Sequence, residues 1–214
     1  MRLILVLALW LIQMPAMAAD NALIDAAARN DVEALGKLVA AGSDLEARDA
    51  TGRTALLAAT HANAIAAARI LIDAGADVNA MDDIDDSPYL YAGAEGRLEI
   101  LEMTLAAGAD LKSVNRYGGT ALIPAAHHGH VEVVRRLLQT ETDIDHVNHL
   151  GWTALLEAVI LGNGGKAHTE IVRLLVTAGA NVDIADADDV SPLTHAERRG
   201  FREIARIIRD AGGG

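Results

Sequence analysis

The sequence predicts an all-α repeat solenoid of about six stacked helix pairs behind a cleavable signal peptide, and three observations carry that prediction. The first is a recurring phrase of small residues closed by an acid or amide. It reads Ala41-Gly42-Ser43-Asp44, Ala74-Gly75-Ala76-Asp77, Ala107-Gly108-Ala109-Asp110 and Ala178-Gly179-Ala180-Asn181, with Glu141-Thr142-Asp143 at the same place. Gly42, Gly75 and Gly108 lie 33 residues apart and Glu141 keeps step; the next interval is 38, and Gly179 to Gly212 returns to 33. The second is a parallel phrase: TALL from Thr54, SPYL from Ser87, TALI from Thr120, TALL from Thr153 and SPLT from Ser191. The third is hydrophobic spacing. Each unit sets a short apolar run of small residues before a break at or near Gly or Asn, then apolar positions at helical intervals such as Val131, Val134, Leu137 and Leu138.

Gly42, Gly75, Gly108 and Gly179 stand where a helix C-terminus calls for a residue that tolerates positive φ. Neither helix of one pair can bury its apolar face alone, so the units must share one continuous core. Aromatic residues make up only 3% of the chain, and alanine-rich inner helices in close contact need few.

This pattern resembles the ankyrin repeat family, whose unit is a β-turn finger followed by two antiparallel helices. The resemblance covers the chain from Asn21 to its end. The units fall at approximately residues 19–48, 49–81, 82–114, 115–147, 148–185 and 186–214. The fourth is nearest the family pattern, through Gly118, Thr120, Leu122, Ala125, Ala126, Gly129, His130, Glu132, Val133, Val134, Leu137 and Leu138. The histidine of the family's T-P-L-H is replaced by Leu57, Leu90, Ile123, Leu156 and Thr194, and its proline survives only as Pro88 and Pro192. The fifth unit has five extra residues. Asn163, Gly164, Gly165 and Lys166 fall between its helices, and their glycines favour a flexible loop over a longer helix.

The N-terminus is a different object. Met1-Arg2 precedes an apolar run from Leu3 to Ile12, and Ala16 and Ala18 form an A-x-A pattern suited to cleavage before Ala19. The run is shorter than the roughly 20 residues of a membrane span. Residues 1–18 are therefore expected to be a signal peptide, and the mature chain to lie in the periplasm, or to be secreted, with no membrane attachment. There is no cysteine, which excludes disulfides, thiolate metal ligands, a cysteine nucleophile and a lipid-modified cysteine at the cleavage point.

Without Arg2 the chain has 17 basic against 30 acidic residues, a net charge of −13 with neutral histidines. Such a field repels phosphate backbones and favours basic proteins or cations, so nucleic acid is not an expected partner. Asp82 to Asp86 and Asp186 to Asp189 read as solvated fingertip turns, because they lack the spaced ligands and distal glutamate of a calcium loop. No nucleophile elbow, phosphate loop, dinucleotide fingerprint or H-E-x-x-H occurs, so neither catalytic residues nor a cofactor are expected.

His127, His128 and His130 surround Gly129. His130 opens the second helix as a structural residue, while His127 and His128 end the first helix on its concave side. Adjacent helical residues point about 100° apart, so this pair cannot easily ligate one ion, and the nearby candidates are limited to His146 and His149. No metal site is expected, and surface contact is the preferred role. A histidine-based metal- or haem-binding stress protein is the alternative function.

The resemblance implies a protein–protein interaction module that uses fingertips and the exposed ends of the first helices. Those surfaces include Asp86, Glu95, Arg198 and Arg199, and the contact residues expected at the centre are Arg116, Tyr117, His127, His128, His149, Leu150, Trp152, Ile160 and Leu161. Tyr, Trp and Arg are the side chains enriched at binding hot spots. The expected partner is a protein, such as a periplasmic enzyme or a toxin, bound by a monomer. N-terminal sequencing of the exported chain is expected to return Ala19 or Asp20; Met1 recovered from a membrane fraction would overturn the export assignment.

Overall fold

Twelve helices run through residues 21–214, the part of the chain that the computed structural model describes. The expected signal peptide and its cleavage point lie outside the described residues. The helices are α1 (residues 21–28), α2 (Val32–Ala40), α3 (Ala55–His61), α4 (Ile65–Asp73), α5 (Pro88–Ala94), α6 (Leu98–Ala106), α7 (Leu122–His128), α8 (Val131–Leu137), α9 (Ala154–Ile160), α10 (Lys166–Thr177), α11 (Pro192–Arg198) and α12 (Arg202–Asp210). Among the described residues there is no strand. Odd-numbered helices from α3 stack on one another as an inner row, and even-numbered helices stack as an outer row.

The two sequence phrases are the two ends of this unit. The side-chain oxygens of Thr54, Ser87, Thr153 and Ser191 accept the N–H of the residue three further on, capping α3, α5, α9 and α11. Thr120 departs from the pattern. In the other units the cap carbonyl accepts from the fourth residue on, as Thr54 does from Ala58, but here that residue is Pro124, which has no N–H. The Ile123 N–H takes the Thr120 carbonyl instead at 3.2 Å, and the Thr120 hydroxyl is left buried without a partner. At the other phrase, Gly42, Gly75, Gly108 and Gly179 do occupy left-handed backbone, in line with the expectation.

Each finger is closed by one side chain. Asp49, Asp82, Asn115, Asn148 and Asp186 each accept the backbone N–H groups two and four residues on. This fixes the tip as a hairpin-like turn without a ladder. Asp82 is thereby buried, 8% exposed, which corrects the expectation that the whole Asp82–Asp86 stretch is solvated. Adjacent fingers also join directly, through Asp83 N–H to Thr51 O and His149 N–H to Tyr117 O.

The core follows from a row of small residues. Ala59, Ala92, Ala125, Ala158 and Ala196 occupy one position of successive inner helices, and all are fully buried. Gly93 goes further, because a Cβ there would stand 2.8 Å from the Ala121 methyl. Large aliphatic side chains such as Leu71, Leu101, Leu137, Leu175 and Ile208 fill the space towards the outer row. Aromatics are scarce because helix surfaces this close have no room for rings.

The insertion in the fifth unit is not a flexible loop. α10 has 12 residues where α4, α6 and α12 have 9, so Lys166 is helical and much of the extra length is an added turn of helix. The remaining connection is clamped. Arg199 donates to the carbonyls of Ile160 and Gly162, Phe201 lies against Gly164, and buried His168 donates from Nε2 to the His127 carbonyl at 2.8 Å. His168 Nδ1 is 3.1 Å from the Asn163 side-chain oxygen. Glycines permit this path because a side chain would strike a neighbour, not because the chain is loose. Replacing His168 by Ala leaves the His127 carbonyl unpaired and is expected to cost about 1–3 kcal/mol. Thermal unfolding would show it as a clear fall in Tm, whereas an unchanged Tm would mean that the clamp contributes nothing.

Candidate protein-binding site

On every inner helix the residues four, seven and eight places after the cap share one face, since positions i, i+3 and i+4 lie together on a helix. In α5 these are Tyr91, Ala94 and, at its C-cap, Glu95; in α7 they are Pro124, His127 and His128; in α9 they are Glu157, Ile160 and the C-cap Leu161. The face opens beside the fingers. Between the third, fourth and fifth units it forms a groove of about 400 Å³.

Six of the nine expected contact residues line that groove: Arg116, Tyr117, His127, His128, Leu150 and Leu161. His149, Trp152 and Ile160 do not. His149 lies against the backbone of Gly118, where a side chain would run into its ring, and Trp152 and Ile160 are half-buried. Tyr117, Leu150 and Leu161 are 56%, 51% and 41% exposed, so the rim offers apolar surface that no neighbour covers. The Arg116 guanidinium stands 5.0 Å from the Tyr117 ring centre and pairs with Asp86 at 3.3 Å, which holds both side chains upright on the finger.

Sequence reasoning missed the floor. Tyr91, Pro124, Asn148 and Glu157 also line the groove, and the signal was available in the constant interval from the cap residue. Glu157 is the residue of most chemical consequence. It is 6% exposed, accepts from Asn148 Nδ2 at 2.8 Å, and has His127 Nδ1 3.6 Å from its other oxygen. Burial pushes its carboxyl up to about 7, against the opposing pull of the Asn148 hydrogen bond and of His128. Burial likewise lowers His127, assisted by the nearby His128 and His168. The groove therefore has a floor that can hold or release a proton near neutral pH.

Of the other histidines, His128 and His130 fasten the fourth unit to the third, while His146 and His195 make bonds within their own units. His128 donates to the Ala94 carbonyl at 2.7 Å, His146 to the Gly118 carbonyl at 2.7 Å, and His130 packs over Gly96. His195 bonds to the finger-closing Asp186 at 2.7 Å. His127 faces Glu157, His128 and His130 lie against the Ala94 to Gly96 backbone, and His168 bonds the His127 carbonyl, so the four do not share one acceptor.

Repeated helix pairs, capped fingers and a concave groove define an ankyrin solenoid, and the comparison with known proteins agrees. The family model for ankyrin repeats (3 copies) matches residues 7–82, 23–113 and 89–186. The chain belongs to the ankyrin repeat family. It is similar to the crystal structure of an ankyrin repeat domain from Acinetobacter baumannii AYE, with 58% identity and a TM-score of 0.87 over 90% of this chain and 98% of that one. It is also similar to EF0377, an ankyrin repeat protein, with 41% identity and a TM-score of 0.86 over 91% and 98% of the two chains. The ankyrin repeat domain of Bcl-3, a member of the IkappaB family, shares 28% identity and a TM-score of 0.81 over 90% and 86%. A curated relative, the ankyrin repeat protein YahD of Escherichia coli (strain K12), is 41% identical over 56 residues, which span 26% of this chain and 28% of that protein.

Glu157 makes stability depend on pH. Its folded pKa of about 7 lies above its ordinary 4.5, so the protonated form favours the folded state. That contribution is present in full below pH 4.5 and is lost as pH rises through about 7. Denaturant unfolding of the native chain and of Glu157→Gln should diverge over this window, with the native chain losing about 3 kcal/mol more. Parallel curves would show that Glu157 titrates as an ordinary carboxyl.

Proposed function

We propose that the chain is a periplasmic protein-interaction module that holds a segment of a partner protein in the groove of its third to fifth units. Ankyrin repeats are general protein–protein interaction modules, and the relatives above share this scaffold. The observation that carries the finer reading is the rim of Tyr117, Leu150 and Leu161, exposed apolar side chains gathered around one groove. Solvent-exposed apolar groups grouped around a concavity are what a partner's side chain buries. The groove's acids are Asp86, Glu95 and Glu157, and its one permanent cation is Arg116, beside His127 and His128, a balance that favours a segment presenting an apolar anchor beside a lysine or arginine.

A periplasmic enzyme held stable or inhibited, and a toxin held inactive, both fit this partner chemistry. The module acts as a monomer and performs no catalysis in this reading. Affinity capture from the cell envelope supplies the partner, and titration with that purified partner supplies the test. Tyr117→Ala or Leu150→Ala should weaken association by about 2 kcal/mol, roughly thirtyfold, without lowering Tm. Leu137→Ala, in the fully buried core, should instead destabilise the stack by some 2–5 kcal/mol and reduce binding only through unfolding. Full affinity in a folded Tyr117→Ala, Leu150→Ala double variant would remove the groove from the interface.

A further inference from the structure

The geometry points to a binding site for a divalent transition-metal cation, with zinc as the reference ion, between α3 and the finger of the third unit, built from His61, Asp82 and Asp86. One ring nitrogen of His61 and one carboxylate oxygen from each aspartate all lie within 4.8 Å of one another. The three come from adjacent units, so an ion here fastens the end of one inner helix to the finger of the next.

The His61 ring is the observation that separates this place from an ordinary acidic turn. Its Nε2 is buried and has no hydrogen-bond partner, although two carboxylates are close at hand. A histidine whose role is to pair with an aspartate makes that bond, as His195 does with Asp186 at 2.7 Å. His61 stays apart from its acids and is held in place by stacking on Tyr91, with ring centres 3.7 Å apart and planes 10° from parallel. An unpaired buried nitrogen is costly unless something binds it. With no hydrogen bond made at Nε2, the ring has a nitrogen that can offer the lone pair a metal ligand requires.

The carboxylates are placed to complete the set. Asp82 is buried, and its Oδ1 is engaged by the N–H groups of Ile84 and Asp86, which orients the carboxylate and leaves Oδ2 outside that turn. Asp86 closes the same turn and shares its Oδ2 with Arg116 at 3.3 Å. An imidazole with two carboxylates suits zinc and its first-row neighbours better than calcium or magnesium, which take oxygen alone. Tetrahedral zinc needs donors only about 3.3 Å apart. Binding therefore draws the three inwards, and the fourth position is open to water or a partner's side chain. The ion competes with Arg116 for Asp86, so occupancy also alters the wall of the groove.

The full chain, stripped with a chelator, tests this by titration with zinc chloride and by cobalt(II) absorption. One equivalent of zinc should bind, with a visible cobalt d–d band, and paramagnetic broadening should reach the His61 and Tyr91 proton resonances before those of His128. His61→Ala and Asp86→Asn should each weaken zinc binding roughly tenfold or more, while a His127→Ala, His128→Ala double variant binds as the native chain does. Circular dichroism checks that each variant is folded, and the broadening pattern is read on the native chain and needs no variant. The proposal is overturned if the native chain takes up no stoichiometric zinc, or if cobalt broadens His128 and leaves His61 sharp. Affinity lost with His127 and His128 but retained without His61 would also overturn it.

Discussion

A helix pair that cannot bury its own apolar face must be completed by its neighbour, and this shared burial is the constraint on which the rest of the structure depends. Its physical expression is the alanine row through Ala59, Ala92, Ala125, Ala158 and Ala196, where methyl groups set how near successive inner helices stand. Closeness excludes rings from the interior, with Tyr89 as the exception among the largest fully buried side chains. Its hydroxyl is buried without a partner, and burial raises its pKa strongly. Of the other described rings, Tyr91 and Tyr117 line the groove, while Phe201 packs against Gly164 at the connection before α10. The poverty of the core in aromatics and their appearance at the candidate interface are two results of one spacing.

Much of the chain's negative charge serves the backbone. Asp49 accepts from the Thr51 hydroxyl, from the Arg53 guanidinium and from the N–H groups of Thr51 and Arg53. Burial raises its pKa, but these bonds overcome that effect and hold the carboxyl well below the usual range. Between units the same chemistry recurs on the outer side, where Glu46, Asn79 and Asp145 each accept a backbone N–H from the following unit. Acidic and amide side chains thus close each finger at one edge of the stack and link neighbouring units at the other, while the aliphatic residues fill its middle.

The sequence could be read for whatever repeats and not for what a single neighbour decides. Helix pairs, left-handed glycines and the general surface all followed from a fixed interval, because each unit meets the same surroundings. The finger-closing residues Asp49, Asp82, Asn115, Asn148 and Asp186 were equally periodic, yet the use of Asp in three units and Asn in two made them look like ordinary solvent-facing turn residues. The place of Glu157 on the groove face was periodic, but its role was hidden for the opposite reason. Its position is occupied by alanine, tyrosine, proline and histidine in other units, so only the meeting of Asn148 and His127 around it shows what a carboxyl does there. The glycines of the fifth unit misled because flexibility and close packing call for the same residue, and Arg199, His168 and Phe201 decide between them from distant positions.

The five extra residues of that unit also reveal what sets the phase of the stack. They lengthen one helix and its approach, but the Asn181 N–H still meets Asp145 and the Ala158 to Ala196 contact row is unbroken. Distance along the chain is therefore a free variable between two fixed stations, the capped finger and the glycine that ends the outer helix. A solenoid indexed by stations and not by residue count can accept a foreign segment at the α9 to α10 crossing while the units on either side remain in step. That crossing is where this architecture can acquire new surface without renegotiating its core.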